Sequence, residues 1–318
     1  MISKEEFKEK ASVLISDEEK KKFAAKKKNE KILKSVILSI EAAVIIVLCG
    51  VFYNDPAALI SAAFVGIVIM IFTYIVIKST TAYDWESFKK AHADQLFKML
   101  LDGYKFDYDQ TKYVSKAEFD KSKFVTSYDH YYGEDLLKVN IKNDDNTDSD
   151  VVFKVCDLKL TEERTRQVTH KNPDGSTYTT TETYEVTVYN GMFAHVNFPF
   201  EFKCTLAANT PSKYESVSME DIDFNKKFDI RTSDQVEAYC ILTPTMITKL
   251  KQLSKRLGKM KILIEGNDLY LGATRNMFEF NFKSKTLDEN VFDGFYDDVS
   301  CVFNVLEEIK NNNKVFKM

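Results

Sequence analysis

Two long apolar runs stand close together near the N-terminal end of the sequence. They cover residues 35–53 and 57–77, which are 19 and 21 residues long. About 20 apolar residues cross a bilayer as an α-helix. An ordinary surface helix would carry a polar face at helical spacing, whereas the second run has no charged residue at all. The pattern therefore predicts a transmembrane hairpin of two helices, joined by a polar turn at residues 54–56.

Glu41 is a charged residue within the first apolar run. An acid at mid-membrane costs about 3 kcal/mol, and the Val, Ile, Leu and Phe residues of this run contribute roughly −5 kcal/mol together, so insertion is still favoured. An acid inside a membrane is a candidate functional residue by default. We therefore consider a role for Glu41 in helix association or ion contact. The alternative is an interfacial acid paired with water or with Lys34, seven residues earlier.

Lysines flank the two runs on their outer sides, and the turn between them has none. The positive-inside rule then places both flanks in the cytoplasm. We expect a two-pass protein of the cell membrane with both termini cytoplasmic and the first run uncleaved. Ser16 and Asp17 are typical of a helix start, so the Lys-rich N-terminal segment should be helical. The flanking lysines are Lys20, Lys21, Lys22, Lys26, Lys27, Lys28, Lys31 and Lys34 before the runs, and Lys78, Lys89 and Lys90 after them.

The pattern changes after residue 78 to that of a mixed domain. Aromatic and β-branched residues alternate with polar ones, and a long polar hairpin is predicted around the turn at residues 172–176. Helix-start signals occur at Asp234 and at Thr243-Pro244, and Gly258 is a helix-end signal. The expected helices are 84–102, two helices within 234–258, and 288–310; the expected strands are 150–160, 164–170, 177–188, 184–198, 261–264, 269–272 and 277–282.

These patterns together predict an α+β fold. An N-terminal helix and a two-helix transmembrane hairpin precede an antiparallel-sheet domain with flanking helices. The predicted divisions are a Lys-rich helical cytoplasmic segment at 1–34, the transmembrane hairpin at 35–77, and a soluble α+β domain at 78–318.

Charge and cysteine content narrow the possible functions. The chain has 318 residues and a net charge of −4, and residues 78–318 carry 33 basic against 39 acidic residues. A mildly acidic domain argues against nucleic-acid binding, which needs a clustered basic surface. The five cysteines are widely spaced, which argues against a disulfide scaffold and for buried thiols.

No strong catalytic motif is present in the sequence. Phosphate-binding loops, nucleophile elbows and paired zinc-ligand histidines are all missing. An acidic loop at 144–150 lacks the Gly and the closing Glu of a calcium loop, so we interpret it as solvated. A Cys204–His195 pair could form only in space. No cofactor or metal site is predicted. Glu134 and Asp135 remain candidates, because two adjacent acids after a Gly can bind a cation, cap a helix or form a salt bridge.

Five short motifs follow one another along the chain. They are Ser87-Phe88-Lys89, Tyr131-Tyr132-Gly133-Glu134-Asp135, Tyr189-Asn190-Gly191-Met192-Phe193, Phe224-Asn225-Lys226-Lys227-Phe228-Asp229-Ile230 and Ala238-Tyr239-Cys240-Ile241-Leu242-Thr243-Pro244. In this order they resemble the bacterial membrane-protein family called domain of unknown function 3137, over about residues 80–310. Val139 and Asn190 depart from the pattern, where a Gly and a Lys are expected. The resemblance implies a membrane-anchored domain and supplies no activity, cofactor or catalytic residue. Gly133 and Gly191 suit turns or bulges with positive φ.

The sequence favours a membrane-anchored protein of unknown biochemical function, acting as a non-enzymatic, cytosol-facing interaction or regulatory module. Two alternatives stay open. One is a metal-assisted hydrolase that uses Glu134 or Asp135. The other is an accessory subunit of a membrane transport complex, suggested by Glu41. The expected partners are the lipid bilayer and an unidentified protein or a second copy of the chain, without nucleic acid.

Overall fold

A computed structural model describes residues 1–51, 56–81, 83–141, 151–278 and 286–316 of the protein. The fold class is α+β, as predicted, and the described strands form one nine-stranded sheet. The strands are β1 Lys105–Asp109, β2 His130–Ile141, β3 Val151–Lys171, β4 Thr177–Asn197, β5 Leu206–Ala208, β6 Ser216–Val217, β7 Ile230–Thr232, β8 Met260–Glu265 and β9 Asp268–Ala273. The helices are α1 Lys4–Ser12, α2 Asp17–Val51, α3 Pro56–Thr81, α4 Trp85–Leu100, α5 Lys116–Asp120, α6 Ile222–Asn225, α7 Gln235–Ile241, α8 Pro244–Leu257 and α9 Asp293–Phe316, with a 3-10 turn at Glu289–Phe292.

The sheet has the strand order β1-β2-β3-β4-β9-β8-β5-β7-β6, and each described neighbouring pair is antiparallel. The first four strands follow chain order as a meander. The β8–β9 hairpin then joins β4 through β9, so residues far apart in the chain become neighbours. A core of aromatic and aliphatic side chains, centred on Phe119 and Phe193, is buried against the sheet.

The hairpin predicted around residues 172–176 is confirmed and is longer than expected. Strands β3 and β4 pair continuously from Val152↔Asn197 to Lys171↔Thr177, with a register shift at Leu160/Thr161. The turn closes through a backbone bond of 2.8 Å from the Asn172 N–H to the Ser176 carbonyl. Since β2 pairs with β3 only as far as Thr161, the far half of this hairpin is a two-stranded ribbon with mostly exposed side chains.

Helix capping follows the sequence signals closely. The Asp234 carboxylate accepts bonds from the Val236 and Glu237 N–H groups, and the Thr243 hydroxyl accepts one from Met246. Pro244 occupies the first turn of α8, and Gly258 ends that helix at φ 86°. These short polar side chains satisfy N–H groups that a helix cannot bond internally.

The chain divides into two compact units. One unit comprises Met1–Ser3, Phe97–Glu279 and Gly294–Met318, and it contains the sheet; the other comprises Lys4–Leu96 and Phe280–Asp293. Within the second unit, α2 begins at the predicted place, because the Ser16 hydroxyl accepts a bond from the Glu19 N–H while the Glu19 carboxylate accepts one from the Ser16 N–H. This reciprocal arrangement is a capping box.

The predicted apolar runs lie in two helices, α2 and α3. Among the parts of the chain that the structure describes, none of the helices has both the length and the apolar character that crossing a membrane requires. The transmembrane hairpin expected from the sequence is therefore unsupported by the fold. Residues 54 and 55 of the expected turn lie outside the described residues.

Some predicted boundaries need correction. Met277 and Phe278 lie in a bend, where the sequence predicts the start of a strand at 277–282, and residues 279–282 lie outside the described residues. The C-terminal helix begins with the 3-10 turn and continues to Phe316, past the predicted end at 310. The acidic loop at 144–150 also lies outside the described residues.

Candidate functional site

The sheet divides within β4, at Gly191. Strand β9 pairs with β4 from Asn197↔Asp268 to Phe193↔Gly272, and residues 187–190 of β4 then continue in pairing with β3. Gly191 lies at the division with φ 148°, and a Cβ built on it would be 2.1 Å from the Ala273 carbonyl oxygen. Only glycine therefore fits here, and beyond it β4 separates from β9.

This division opens a groove of about 890 Å³. Its walls are residues 187–190 of β4, residues 258–261 at the start of β8, residues 272–274 of β9, and the loop that carries Lys226 and Lys227. The volume lies in the range of natural small-molecule sites, about 300–1,000 Å³. Tyr189, Met260 and Ala273 supply a largely buried apolar floor.

Four lysines line the groove: Lys226, Lys227, Lys259 and Lys261. No Asp or Glu is found among the described residues that line it. Lys226 forms an exposed ion pair of 3.1 Å with Asp223, whereas Lys227 and Lys259 form no salt bridge with any residue the structure describes. A cleft with one sign of charge concentrates counter-ions, so this groove is suited to an anion.

Lys261 is the most enclosed of the four lysines. Its ammonium donates a hydrogen bond to the backbone carbonyl of Phe124. Burial lowers the pKa of Lys261, because the charged form loses hydration and gains only a neutral partner. An anion in the groove would supply the missing charge.

Asn209 holds the lysine loop against β8. Its side-chain amide donates to the carbonyl oxygens of Lys227 at 2.8 Å and Met260 at 2.9 Å, and its side-chain oxygen accepts from the Asp229 N–H at 3.0 Å. Asn tolerates the left-handed conformation that this residue adopts at φ 53°. One side chain thus fixes two walls of the groove relative to each other.

Lys259 is fixed through its backbone. Its N–H donates to the Thr274 hydroxyl at 3.0 Å, and its carbonyl accepts from the Thr274 N–H at 3.1 Å. A Cβ at Gly258 would lie 2.4 Å from that hydroxyl, so Gly258 leaves room for the contact. The side chain of Lys259 is exposed at the rim of the groove, while two hydrogen bonds with Thr274 hold its backbone.

The groove lies within a segment that matches a known family. Residues 187–311 match the family described as Protein of unknown function (DUF3137). We call residues 187–311 the DUF3137 region. No curated protein and no solved structure matches the chain. The family resemblance inferred from the sequence motifs is thereby confirmed for residues 187–311, and the motifs at Ser87–Lys89 and Tyr131–Asp135 lie outside the matched residues.

Two of the family-like motifs meet at the groove of the DUF3137 region. The first contributes Tyr189 and Asn190 to one wall, and its Gly191 makes the division of the sheet possible. In the second, Phe224 and Phe228 are buried and stack with their ring centroids 4.5 Å apart. Lys226 and Lys227 lie between these two phenylalanines in the sequence, so buried side chains hold the backbone on both sides of the lysines.

Asp135 occupies a β-bulge of β2 and is fully buried. It adopts φ 65°, and its carboxylate accepts a bond of 2.6 Å from the Tyr108 hydroxyl. Burial and the nearby Asp135 carboxylate raise the pKa of Tyr108 well above its ordinary value. Gly133 does not adopt the positive φ expected from the sequence. It is glycine because a Cβ would lie 2.6 Å from the Leu158 side chain.

Glu134 lines a second, smaller pocket of about 240 Å³ beside Asp157, Lys159 and Asn190. Asp157 is buried, and its carboxylate accepts the N–H groups of Met277 and Phe278 at 2.9 and 3.1 Å. Nowhere in the described ranges are three or more His, Cys, Asp or Glu residues grouped so that they could hold a metal ion. A catalytic role for Glu134 or Asp135 stays a prediction.

Glu41 lies on α2, and its Oε1 atom is buried without a hydrogen-bond partner among the described residues. The Lys34 ammonium bonds Glu30 at 2.6 Å. A functional role for Glu41 stays a prediction.

A cluster centred on His195 was not predicted by any motif in the sequence. The ring Nδ1 is hydrogen-bonded to the Glu118 carboxylate, and Nε2 lies 2.8 Å from Asp268 Oδ1. The Lys154 ammonium also bonds Glu118 at 2.9 Å. Burial raises the pKa of Glu118, but the bonds from His195 and Lys154 outweigh it and lower the pKa to about 2. His195 thus joins α5 to β4 and β9, and it does not meet Cys204.

Proposed function

We propose that the protein is a membrane-attached, non-enzymatic binding module, and that the DUF3137 region binds an anionic partner in the lysine groove. One observation carries the proposal: four lysines and no described acid line one cavity in a chain of net charge −4. Lysine is a common ligand of phosphate and carboxylate groups. A groove this basic in an acidic protein is best explained by a ligand of negative charge.

Membrane attachment is supported by the surface of α3. The large apolar side chains of residues 67–72 are all exposed, and consecutive residues cover every side of a helix. Ser61 and Thr73 donate to carbonyl oxygens of their own helix at 3.0 and 2.6 Å, which satisfies these hydroxyls without water. Apolar surfaces of this size are rare on isolated proteins and mark an interaction with lipid or protein. We propose lipid, with both termini on the cytoplasmic side because lysines flank the two apolar runs there.

The two alternative functions have weaker support. A metal-assisted hydrolase would depend on Glu134, since the Asp135 carboxylate is already bonded to Tyr108 in a bulge. A transport subunit would depend on Glu41, whose buried Oε1 is consistent with an ion contact or with an interface to a further helix.

The test compares anion binding by the full chain in lipid nanodiscs with that of charge-reversed variants. Inorganic pyrophosphate is titrated calorimetrically into the wild type, Lys227→Glu/Lys259→Glu and a control, Lys105→Glu/Lys213→Glu. The control lysines are exposed and do not line the groove. We expect at least a tenfold loss of affinity in the groove variant and less than a twofold change in the control. Equal losses in both variants, or no binding of either pyrophosphate or octyl phosphate to the wild type, would contradict the proposal.

A further inference from the structure

The groove combines two kinds of surface, which narrows the class of ligand. Its floor is formed by Tyr189, Met260 and Ala273, while Lys227 and Lys259 stand exposed at its rim. A simple anion such as phosphate would contact the lysines at the rim and leave the apolar floor in contact with water. An uncharged apolar ligand would use the floor and leave the lysines without partners.

The enclosed ammonium of Lys261 connects the two surfaces. Lys261 follows Met260 in β8 and lines the same groove, and its hydrogen bond is to the neutral carbonyl of Phe124. A ligand with one anionic end and an apolar body would place the anion among Lys227, Lys259 and Lys261. Its body would then lie along the floor toward β4 and β9.

We infer that the ligand is a small amphiphilic anion, a phosphate or carboxylate headgroup attached to an alkyl or acyl chain. This inference rests on the proposed function, because it names the ligand class of the same groove. The cavity of about 890 Å³ admits one such molecule, in keeping with the size of natural small-molecule sites. The molecule can come from a bilayer or exist free in solution.

The experiment is lysine footprinting of the full chain in phosphatidylcholine nanodiscs. An acetylating reagent modifies accessible lysines, and mass spectrometry reads each lysine separately. Protection is measured against increasing butyl phosphate, octyl phosphate, octanol and inorganic pyrophosphate. Lys105 and Lys213 serve as internal controls, and the concentration of free probe is measured in each sample to correct for partition of the probes into lipid.

We expect octyl phosphate to protect Lys227 and Lys259 at a concentration at least tenfold lower than butyl phosphate, since complete burial of one methylene is worth about fourfold in affinity. The control lysines should keep their reactivity. Protection in discs that contain phosphatidic acid, without added probe, would support the inference with the bilayer as the source. Protection by added octyl phosphate alone would support it with a free amphiphile.

Other results separate the two proposals. Equal protection by butyl phosphate, octyl phosphate and pyrophosphate would overturn the amphiphile and leave the anion site standing. Protection by octanol as strong as that by octyl phosphate would overturn the inference, because the anionic end would then contribute nothing. Failure of every anion to protect the groove lysines would overturn the proposed function as well.

Discussion

Gly191 and the carbonyl oxygen of Ala273 are in direct contact across the division of the sheet. A Cβ on Gly191 would lie 2.1 Å from that oxygen, and the backbone at Gly191 adopts φ 148°. The contact sets the point at which β4 leaves β9, and the groove begins there. A single backbone approach thus connects the fold of the DUF3137 region to its candidate site.

Gly191→Ala is expected to lower the free energy of unfolding by about 3 kcal/mol, because both the strained φ and the clash with a backbone atom would have to relax. Gly175→Ala is the matched control. It has a positive φ of 91° but nothing within 4 Å of the added Cβ. Its loss should be about 1–2 kcal/mol from strain alone. Urea denaturation measures both, and equal losses would contradict the steric role of Gly191.

Asn209→Ala is expected to lower the free energy of unfolding by about 2–3 kcal/mol, because three hydrogen bonds are lost at about 1 kcal/mol each. Pyrophosphate affinity should also fall at least threefold, since the loop of Lys227 is released from β8. Asn190→Ala is the control, an exposed residue of the same groove, and should change stability by less than about 0.5 kcal/mol. Unfolding curves and calorimetry check both effects. A loss of stability without any loss of affinity would show that Asn209 does not position the lysines.

Local signals in the sequence predicted the features that neighbouring residues determine. The turn at Asn172–Ser176 and the helix start at Thr243-Pro244 depend on residues a few positions apart, and both are confirmed. The groove could not be predicted in this way. Lys227 and Lys259 belong to separate segments that meet only because β5 lies between β7 and β8. Gly133 was wrongly expected to need a positive φ, because its requirement is the space occupied by Leu158 in the next strand.

Lys261→Met tests the cost of enclosing a charge. Burial lowers the pKa of Lys261 below its ordinary 10.5, so the folded state releases this proton before the unfolded state does. Burying the Lys261 ammonium costs a free energy that is constant below the folded-state pKa. This cost disappears as the pH rises from that pKa toward 10.5. The free energy of unfolding of the wild type should therefore rise with pH between the folded-state pKa and 10.5. Lys261→Met should lack this rise and be at least as stable at pH 7.

The measurement is urea denaturation between pH 7 and pH 10.5, with Lys213→Met as the control that keeps the wild-type profile. Lys261→Met should also bind pyrophosphate at least threefold more weakly. A variant that is clearly less stable at pH 7 and keeps its affinity would show that Lys261 has a packing role only.

Glu118→Gln tests the cluster around His195. The pKa of Glu118 is lowered from 4.5 to about 2 in the folded state. Its stabilisation is present above pH 4.5 and is lost as the pH falls from 4.5 toward 2, and it amounts to about 3 kcal/mol at most. Glu118→Gln should remove most of this at pH 7 and flatten the acid limb of the stability profile. Denaturation curves between pH 2 and pH 7 give both quantities.

The control for this cluster is Glu265→Gln. Glu265 pairs with Lys123 at 2.6 Å, but both side chains are about half exposed. An exposed pair contributes less than about 1 kcal/mol, so the control should hardly change stability. Comparable losses in the two variants would show that His195 and Lys154 do not stabilise the ionised Glu118.

Cys240 reports on which side of a membrane the DUF3137 region lies. Its side chain is exposed on α7, whereas Cys156 and Cys204 are buried and Cys301 is partly buried, so a maleimide that cannot cross membranes should react mainly at Cys240. With both termini cytoplasmic, labelling is expected only after the cells are permeabilised. Loss of the signal in Cys240→Ser identifies the labelled residue. Labelling in intact cells would place the region on the outer side and contradict the orientation drawn from the flanking lysines.

Release of the protein from membranes by alkaline carbonate would contradict attachment through α2 and α3.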